Sequence, residues 1–513
     1  MDKNYYITTP IYYPSAKPHM GHAYSSIIAD FFARFKRIDG YNVHFLTGTD
    51  EHGLKIQRAA EKNKLDPLKF CDEISQTFRK LSRTLNLSNT DFIRTTEERH
   101  KKTVQHLWST LEKNDDIYLS KYAGWYSVSD EAFYGEDEIT KKEDKMVAIQ
   151  SNSIVEWIEE ESYFFRLSKW QESLLEYYEK NPDFISPKAK KNEVISFVKS
   201  GLKDLSISRK SFSWGIKVPN NENHIIYVWL DALTNYISAL NYPNIKDDLF
   251  KKFWPASLHL IGKDILRFHS VYWPAFLMAA KIPLPKKIYG HGWILSGDEK
   301  MSKSKGNILD PLDIIEIYGL DPLRYYLIKE VSFGNDGSIS IERLEDCINS
   351  DLANNFGNLC QRVTAFAEKN CSSKVPKLTK FNDDDLLMLN KFTNNLSILR
   401  EEIDKQNINF YINFIVSALF ETNKYFNDQE PWKKKNDKER LDVIVFTSLE
   451  MIRKISFMLY PIIPDSIKKV LTIFDMEIKD INFSSIGSHE YLKCGNTIKK
   501  IDILFKKIEK NND

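Results

Sequence analysis

The chain is 513 residues long, 42% hydrophobic, 13% aromatic and 28% charged, which is enough apolar material for several cores and too much chain for one. A formal net charge of +1 and a mean hydropathy of −0.42 announce neither bulk nucleic-acid binding nor a membrane protein, so any phosphate-binding surface has to be local. No apolar run approaches about 18 residues, no apolar leader follows Met1, and five scattered cysteines (Cys71, Cys347, Cys360, Cys371, Cys494) never pair as CxxC; together these predict a reducing, cytoplasmic setting.

In chain order, a β-branched and aromatic run over 5–9 predicts a strand that Pro10 stops. A Tyr/Pro/Ser loop, then Pro18, His19, Met20, Gly21 and His22, leads into a helix over 25–37. A second strand over 41–47 is closed by Gly48, Thr49, Asp50, Glu51, His52 and Gly53. Strands alternating with helices predict a parallel sheet, with polar groups gathered at its carboxyl edge. Residues 116–161, where aromatics alternate with acidic and lysine-rich turns, predict a small β-rich insertion. The α/β texture resumes with strand candidates at 224–230, 258–262 and 288–295, the last running into Lys300, Met301, Ser302, Lys303 and Ser304. Beyond 341, Leu389, Phe392, Leu396, Leu399 and Ile403 step by three and four, and Ile412, Ile415, Leu419 and Phe426, then Leu441, Val445, Ile452, Ile455 and Leu459, continue the pattern at steps of three, four and seven. These stripes predict a bundle of four or five amphipathic helices. The lysine-rich end reads as a last helix or a frayed tail. The lysine groups at 188–191, at 433–435 and in the last fifteen residues each read singly as solvated faces.

Two motifs carry chemistry. His19 and His22 around Gly21, at a strand end where a helix begins, suit a phosphate chain: helix N–H groups favour anions, and glycine permits close approach. Lys300 and Lys303 offer two ammonium groups able to close on phosphates as charge develops. Taken singly, the first is a pair of loop histidines and the second an exposed basic loop. HxGH at the first strand's end and KMSKS at the end of a later strand in the same domain form a specific combination.

With these motifs the sequence resembles the class I aminoacyl-tRNA synthetases, and within them the methionine-specific family, from residue 5 to about 466. The stretches that carry it are TTPIYYPSAKPHMGHAYS, FLTGTDEHG, YVWLDALTNY, LIGKDILRFHSVYWPAFL, YGHGWI, KMSKSKGN, NNFGNLCQR and NDQEPW. The resemblance implies a Rossmann-like parallel-sheet catalytic domain in two halves (1–115 and 162–295), a connective insertion (116–161), a KMSKS and stem-contact region (296–345) and an all-α anticodon-binding domain (346–513). It implies ATP-dependent ligation of L-methionine to tRNA(Met) through methionyl-adenylate, with Mg²⁺ travelling with ATP. His19, Gly21, His22, Lys300 and Lys303 match the phosphate-contacting residues, Gly262 and Asp264 the ribose site, and His291, Gly292, Trp293 and Ile294 the adenine-lining strand. Ile11, Tyr13, Trp229, Ala232, Tyr236, Ile265, Phe268, His269 and Trp273 match the methionine pocket, an aromatic-rich set suited to a polarisable thioether; singly, each of its apolar members is also ordinary core. Asp50 matches the carboxylate that pairs with the substrate ammonium. Asn358, Arg362 and Trp432 match the readers of the CAU anticodon, or else are a surface pair and a capping tryptophan.

The chain also departs from the family pattern. Ser127 and Asp130 stand where many members carry zinc thiolates, and no cysteine lies between Cys71 and Cys347. The expectation is therefore no structural zinc, with the insertion held by its own aromatic packing. No dimerising C-terminal barrel follows the helical part, so a monomer is expected. Pocket contacts alone distinguish one methylene by only ~1–3 kcal/mol, and no large editing insertion is present. The alternatives are a non-catalytic tRNA-binding relative, a synthetase for another amino acid, and a small nucleotidyltransferase sharing HxGH. The first would be expected to have lost HxGH, KMSKS or Asp50, and the last leaves the helical domain unexplained.

Overall fold

The structure, a computed structural model, describes residues 3–14, 17–130, 132–296, 299–300, 309–487 and 492–509. The chain divides into two compact units: Asn4–Pro18 with Val43–His291, and Met1–Lys3 with His19–Asn42 and Gly292–Asp513.

The first unit is organised by a six-stranded sheet. Its strands are β1 (Asn4–Tyr12), β2 (Asn42–Thr49), β3 (Asp91–Arg94), β4 (Ile185–Ser186), β5 (Leu258–Gly262) and β6 (Ile288–His291), ordered β3-β2-β1-β5-β6-β4. Parallel pairing sets Leu46 beside Asp91, Ile7 beside Leu258, His259 beside Ile288 and Ile288 beside Ile185. Tyr6, Ile7, Phe45, Leu46, Leu260 and Ile261 are all fully buried, as continuous apolar runs in a parallel sheet covered on both faces require. β1 does not stop at Pro10. Proline lacks a donor, but its fixed φ suits an extended chain, and its carbonyl accepts the Thr9 hydroxyl at 2.8 Å.

Helix α1 (Met20–Ile38) belongs to the second unit. In the first, α2 (Glu98–Lys113) buries His100, Val104, Leu107, Trp108 and Leu111, and the core into which this helix packs also holds Phe165, Trp273 and Phe276. Residues 224–230 are not one strand. Asn221–Ile226 ends in a separate three-stranded sheet, because the N–H groups of Leu230 and Asp231 turn back to the carbonyl of Tyr227 and start α3 (Val228–Leu233). The insertion is β-rich as expected: Ile117–Ser127 and Glu156–Phe165 pair antiparallel, from Ile117 opposite Phe165 to Tyr126 opposite Glu156.

In the second unit α1 sits among helices. Asp30 accepts from Arg34 Nε at 2.6 Å and from Arg324 Nη2 at 2.7 Å, all three groups being buried. Arg34 also donates to the Tyr460 hydroxyl at 3.0 Å, and Phe31 and Phe35 meet the Tyr411 ring edge-on at 5.5 and 5.4 Å. The bundle contains α4 (Asn358–Asn370), α5 (Asp383–Asp404), α6 (Ile408–Asp428) and α7 (Lys438–Leu459); every residue of the three apolar stripes is buried.

The segment 288–295 also breaks. A Cβ on Gly292 would lie 2.1 Å from the backbone of Asn335, and Trp293 N–H donates to Asp336 Oδ1 at 2.9 Å. The chain turns there, and β7 (Ile294–Ser296) joins a small sheet between β8 (Glu299–Lys300) and β9 (Gly337–Ile339). The C-terminal segment 492–509 forms no helix: it is irregular, with a turn at 494–495 and a bend at 504–505, and is held in place, Val375 N–H donating to the Asn496 carbonyl at 2.8 Å.

Candidate active site

The loop after β2 is rigid for a local reason. The Glu51 carboxylate is fully buried and accepts from Thr49 Oγ1 and Thr96 Oγ1, each at 2.6 Å, and from Arg94 Nε at 2.8 Å; its carbonyl accepts the Trp214 indole N–H at 2.6 Å. Gly53 has φ +105°, a conformation costly for any side chain. Asp50, 6% exposed, is held in this frame, with its N–H donating to the Tyr12 carbonyl at 2.9 Å. Glu51 is thus used up structurally, and Asp50 is the carboxylate set at the strand end.

A buried network ties this loop to α3. Asp231 meets His52 Nδ1 at 2.7 Å through one oxygen and His100 Nε2 at 2.7 Å through the other, and His100 Nδ1 meets Ser238 Oγ at 2.9 Å. Burial alone raises the proton affinity of Asp231, but the two imidazoles outweigh it and hold the carboxyl at about 2. Sequence reasoning missed this trio. His100 does fall on the apolar stripe of α2, the one signal available; nothing in the pattern paired it with Asp231.

α3 presents Trp229 and Ala232. The Trp229 ring stacks on Phe268 at 3.5 Å and 13°, and Phe268 lies in a π-helical turn, Phe268–Tyr272. Within that turn, His269 Nδ1 donates to the Ile265 carbonyl at 3.0 Å. Nε2 is therefore the acceptor for the Tyr236 hydroxyl at 2.7 Å. Burial holds His269 down to about 4, which keeps it neutral and able to accept. Tyr236 is 6.1 Å from the Trp273 ring. Tyr13 donates its hydroxyl to the His52 carbonyl at 2.9 Å, and Ile11 and Ile265 pack partly buried against the core that holds Tyr236 and Trp273. The predicted pocket residues therefore share one compact unit and several direct contacts. At the end of β5, Gly262 pairs with His291, and a Cβ on Gly262 would lie 2.6 Å from Asp264 Oδ1: the missing side chain is what lets that carboxylate lie across the strand end.

In the second unit the HxGH motif is a helix cap. Gly21 N–H donates to His19 Nδ1 at 3.1 Å, and His19 N–H donates to His22 Nδ1 at 3.0 Å, a reciprocal capping box built from imidazoles. Both Nδ1 atoms accept, so each neutral ring carries its proton on Nε2. Two Nε2–H donors, on rings 3.8 Å apart, result from the 1,4 spacing. Burial, then the neighbouring His19, lowers the His22 pKa well below its ordinary value. Ile294 lies in β7, and the Lys300 backbone pairs with Leu295. Met301 to Asn307, Lys303 included, lie outside the described residues.

On the bundle, the Arg362 guanidinium donates to Asn427 Oδ1 at 2.6 Å and sits 5.7 Å from the Phe426 ring centroid, which in turn meets Trp432 at 6.2 Å. Trp432 is 41% exposed. Asn358, one turn before Arg362, is exposed. In the insertion the expected aromatic packing is present, with Trp125 against Trp157 at 5.4 Å. It is joined by a hydroxyl cluster that was not anticipated. Asp130 accepts from Tyr134 at 2.7 Å and from Ser151 at 2.5 Å, and also from Ser153; Ser127 Oγ is 3.0 Å from Ser153 Oγ. Among the described residues no group of three or more His, Cys, Asp or Glu could hold a metal, and no helix is long and apolar enough to cross a membrane.

The family model for class I tRNA synthetases (M) matches residues 5–364, and that for the anticodon binding domain of methionyl tRNA ligase matches 375–513. The methionine--tRNA ligase of Rickettsia felis is 50% identical over 99% of both chains, and that of Brucella suis is 49% identical over 94% of both. A Mycobacterium tuberculosis methionyl-tRNA synthetase, solved with methionyl-adenylate, superposes with a TM-score of 0.96 at 43% identity, covering 98% of this chain and 99% of that one. With family models matching residues 5–364 and 375–513 and relatives about half identical over nearly its whole length, the chain belongs to the class I tRNA synthetases, in their methionyl branch.

Proposed function

We propose that the protein activates L-methionine with ATP to methionyl-adenylate and pyrophosphate, then transfers the methionyl group to tRNA(Met) with release of AMP. The observation that carries this reading is the near-complete match to a synthetase structure holding methionyl-adenylate. The methionine carboxylate attacks the α-phosphorus and pyrophosphate leaves. No protein nucleophile is needed, so catalysis is positioning and charge stabilisation.

In this reading Asp50 holds the substrate ammonium. Ile11, Tyr13, Trp229, Ala232, Tyr236, Ile265, Phe268, His269 and Trp273 surround the thioether. The Nε2–H groups of His19 and His22 donate to the phosphates, Gly21 gives them room, and Lys300 and Lys303 stabilise the leaving pyrophosphate. Gly262 and Asp264 hold the ribose, while His291, Trp293 and Ile294 line the adenine. Asn358, Arg362 and Trp432, in the helical part from 346 onward, read the anticodon. Mg²⁺ enters with ATP as part of the substrate. The protein works as a cytoplasmic monomer, and its insertion needs no zinc: Ser127 and Asp130 stand at the thiolate positions, and Asp130 accepts from Tyr134, Ser151 and Ser153 instead. Metal analysis of the purified chain is expected to find none; about one zinc per chain would reverse that part.

The deciding experiment is ATP–pyrophosphate exchange across the twenty amino acids. Exchange dependent on methionine alone is expected. No exchange with any of them would leave a tRNA-binding role only.

A further inference from the structure

The NNFGN stretch and the lysine-rich end of the chain, which sequence reasoning treated separately, meet in the second unit. Asn354, Asn358 and Gln361 follow one another at steps of four and three, from the end of a π-helical segment, Ile348–Gly357, into α4. Together with Phe505, Lys506 and Lys507 they line a groove of about 410 Å³. The tail is fastened rather than loosely laid. Asn349 makes two hydrogen bonds to the Ile508 backbone, donating to its carbonyl at 2.9 Å and accepting its N–H at 2.8 Å. At Gly357 the tail lies within van der Waals reach of the helix: a Cβ there would sit 3.7 Å from Phe505 Cδ2 and 4.0 Å from Leu504 Cβ. Phe505 is 8% exposed.

This anchoring sets both lysines at the rim of the groove, exposed. Neither makes an ion pair among the described residues, and the three carboxamides make no side-chain hydrogen bond there. Amides for base edges beside ammonium groups for phosphate make a surface suited to one single-stranded nucleotide. The groove is continuous with the anticodon surface proposed above, because Asn358 and Arg362 lie one turn apart on α4.

We propose that the tail segment 501–509 is part of the tRNA-binding surface, with Lys506 and Lys507 holding the anticodon-strand phosphates beside the base that Asn358 reads. This rests on the reading of the helical part as the anticodon-binding domain. The lysine contacts carry no sequence information: they position the strand, and the amides discriminate.

The test compares Lys506→Gln/Lys507→Gln, Lys506→Arg/Lys507→Arg and Trp432→Ala, in the full chain, using tRNA(Met) and an acceptor minihelix without an anticodon loop. Both lysine variants are expected to keep methionine-dependent pyrophosphate exchange. The double Gln variant should bind tRNA(Met) about tenfold more weakly at low salt, with a log Kd against log salt slope reduced by about 1.4, two single-strand phosphate contacts at roughly 0.7 each. The double Arg variant should restore both, and minihelix charging should not change. If Trp432→Ala cripples charging while the double Gln variant keeps wild-type affinity and slope, the proposal falls and the anticodon reading stands. If Trp432→Ala and the double Gln variant are both harmless, the anticodon reading itself has failed. An equal loss on the minihelix would assign the lysines to the acceptor arm and overturn the proposal.

Discussion

His269 works as an acceptor only while it is neutral. Its Nδ1–H is committed to the Ile265 carbonyl, and its Nε2 takes the Tyr236 hydroxyl. Burial depresses its pKa from 6.5 to about 4. The unfolded chain therefore binds this proton first as pH falls. The stabilisation is fully present above pH 6.5 and is lost as pH drops from 6.5 toward about 4. The expected result is a methionine KM, read by pyrophosphate exchange, that is flat between pH 6 and 8; a bend near 6.5 would show that the imidazole is not desolvated as described. Ala232 works differently. In the proposed pocket its part is absence of bulk: it is 5% exposed and adjoins Asp231, whose two oxygens meet His52 and His100. At this scale the single-letter sequence is informative about chemistry and poor about partnership. An aspartate two residues after a tryptophan does not announce two histidines from other elements.

At the scale of the element, the start of α1 does two jobs with one imidazole in the proposed mechanism, capping through Nδ1 and donating through Nε2–H. His19 is both the N-cap and a phosphate donor in the proposed mechanism, and the two can be separated. Asparagine is among the best N-cap residues, and loss of a cap costs about 1 kcal/mol. His19→Asn is therefore expected to leave thermal stability nearly unchanged while slowing adenylate formation by orders of magnitude; His19→Ala should lose activity and about 1 kcal/mol besides. Equal activity in wild type and His19→Asn would make the histidine a cap only. The elements themselves were largely readable. Apolar stripes placed the three long helices, since burial of one face repeats at helical spacing. The misreadings at Pro10, 224–230 and 288–295 share a cause: composition reports that residues are buried and β-prone, but where the chain turns is fixed by contacts such as Gly292 against the Asn335 backbone. The hydroxyl cluster on Asp130 was illegible for the same reason, since serines carry no pattern that says which carboxylate they will find.

At the scale of the whole molecule, sequence neighbours part company. Ile11 and Tyr13 belong to the sheet unit and His19 and His22 to the helical one, although a short loop joins them. Motif order reveals the catalytic inventory, while membership of a unit depends on long-range packing. The partners of α1 include Arg324, Tyr411 and Tyr460, and the Arg34–Tyr460 hydrogen bond spans 426 residues. The protein is made from its N-terminus, and at roughly 5–20 residues per second the ribosome needs about 20 to 85 s to go from Arg34 to Tyr460. Until Arg324 and Tyr411 are made, Asp30 lacks its second guanidinium and Phe31 and Phe35 lack the ring they pack on. The helix that carries the HxGH motif is thus among the first segments synthesised and among the last to be housed, which leaves it a long claim on a chaperone.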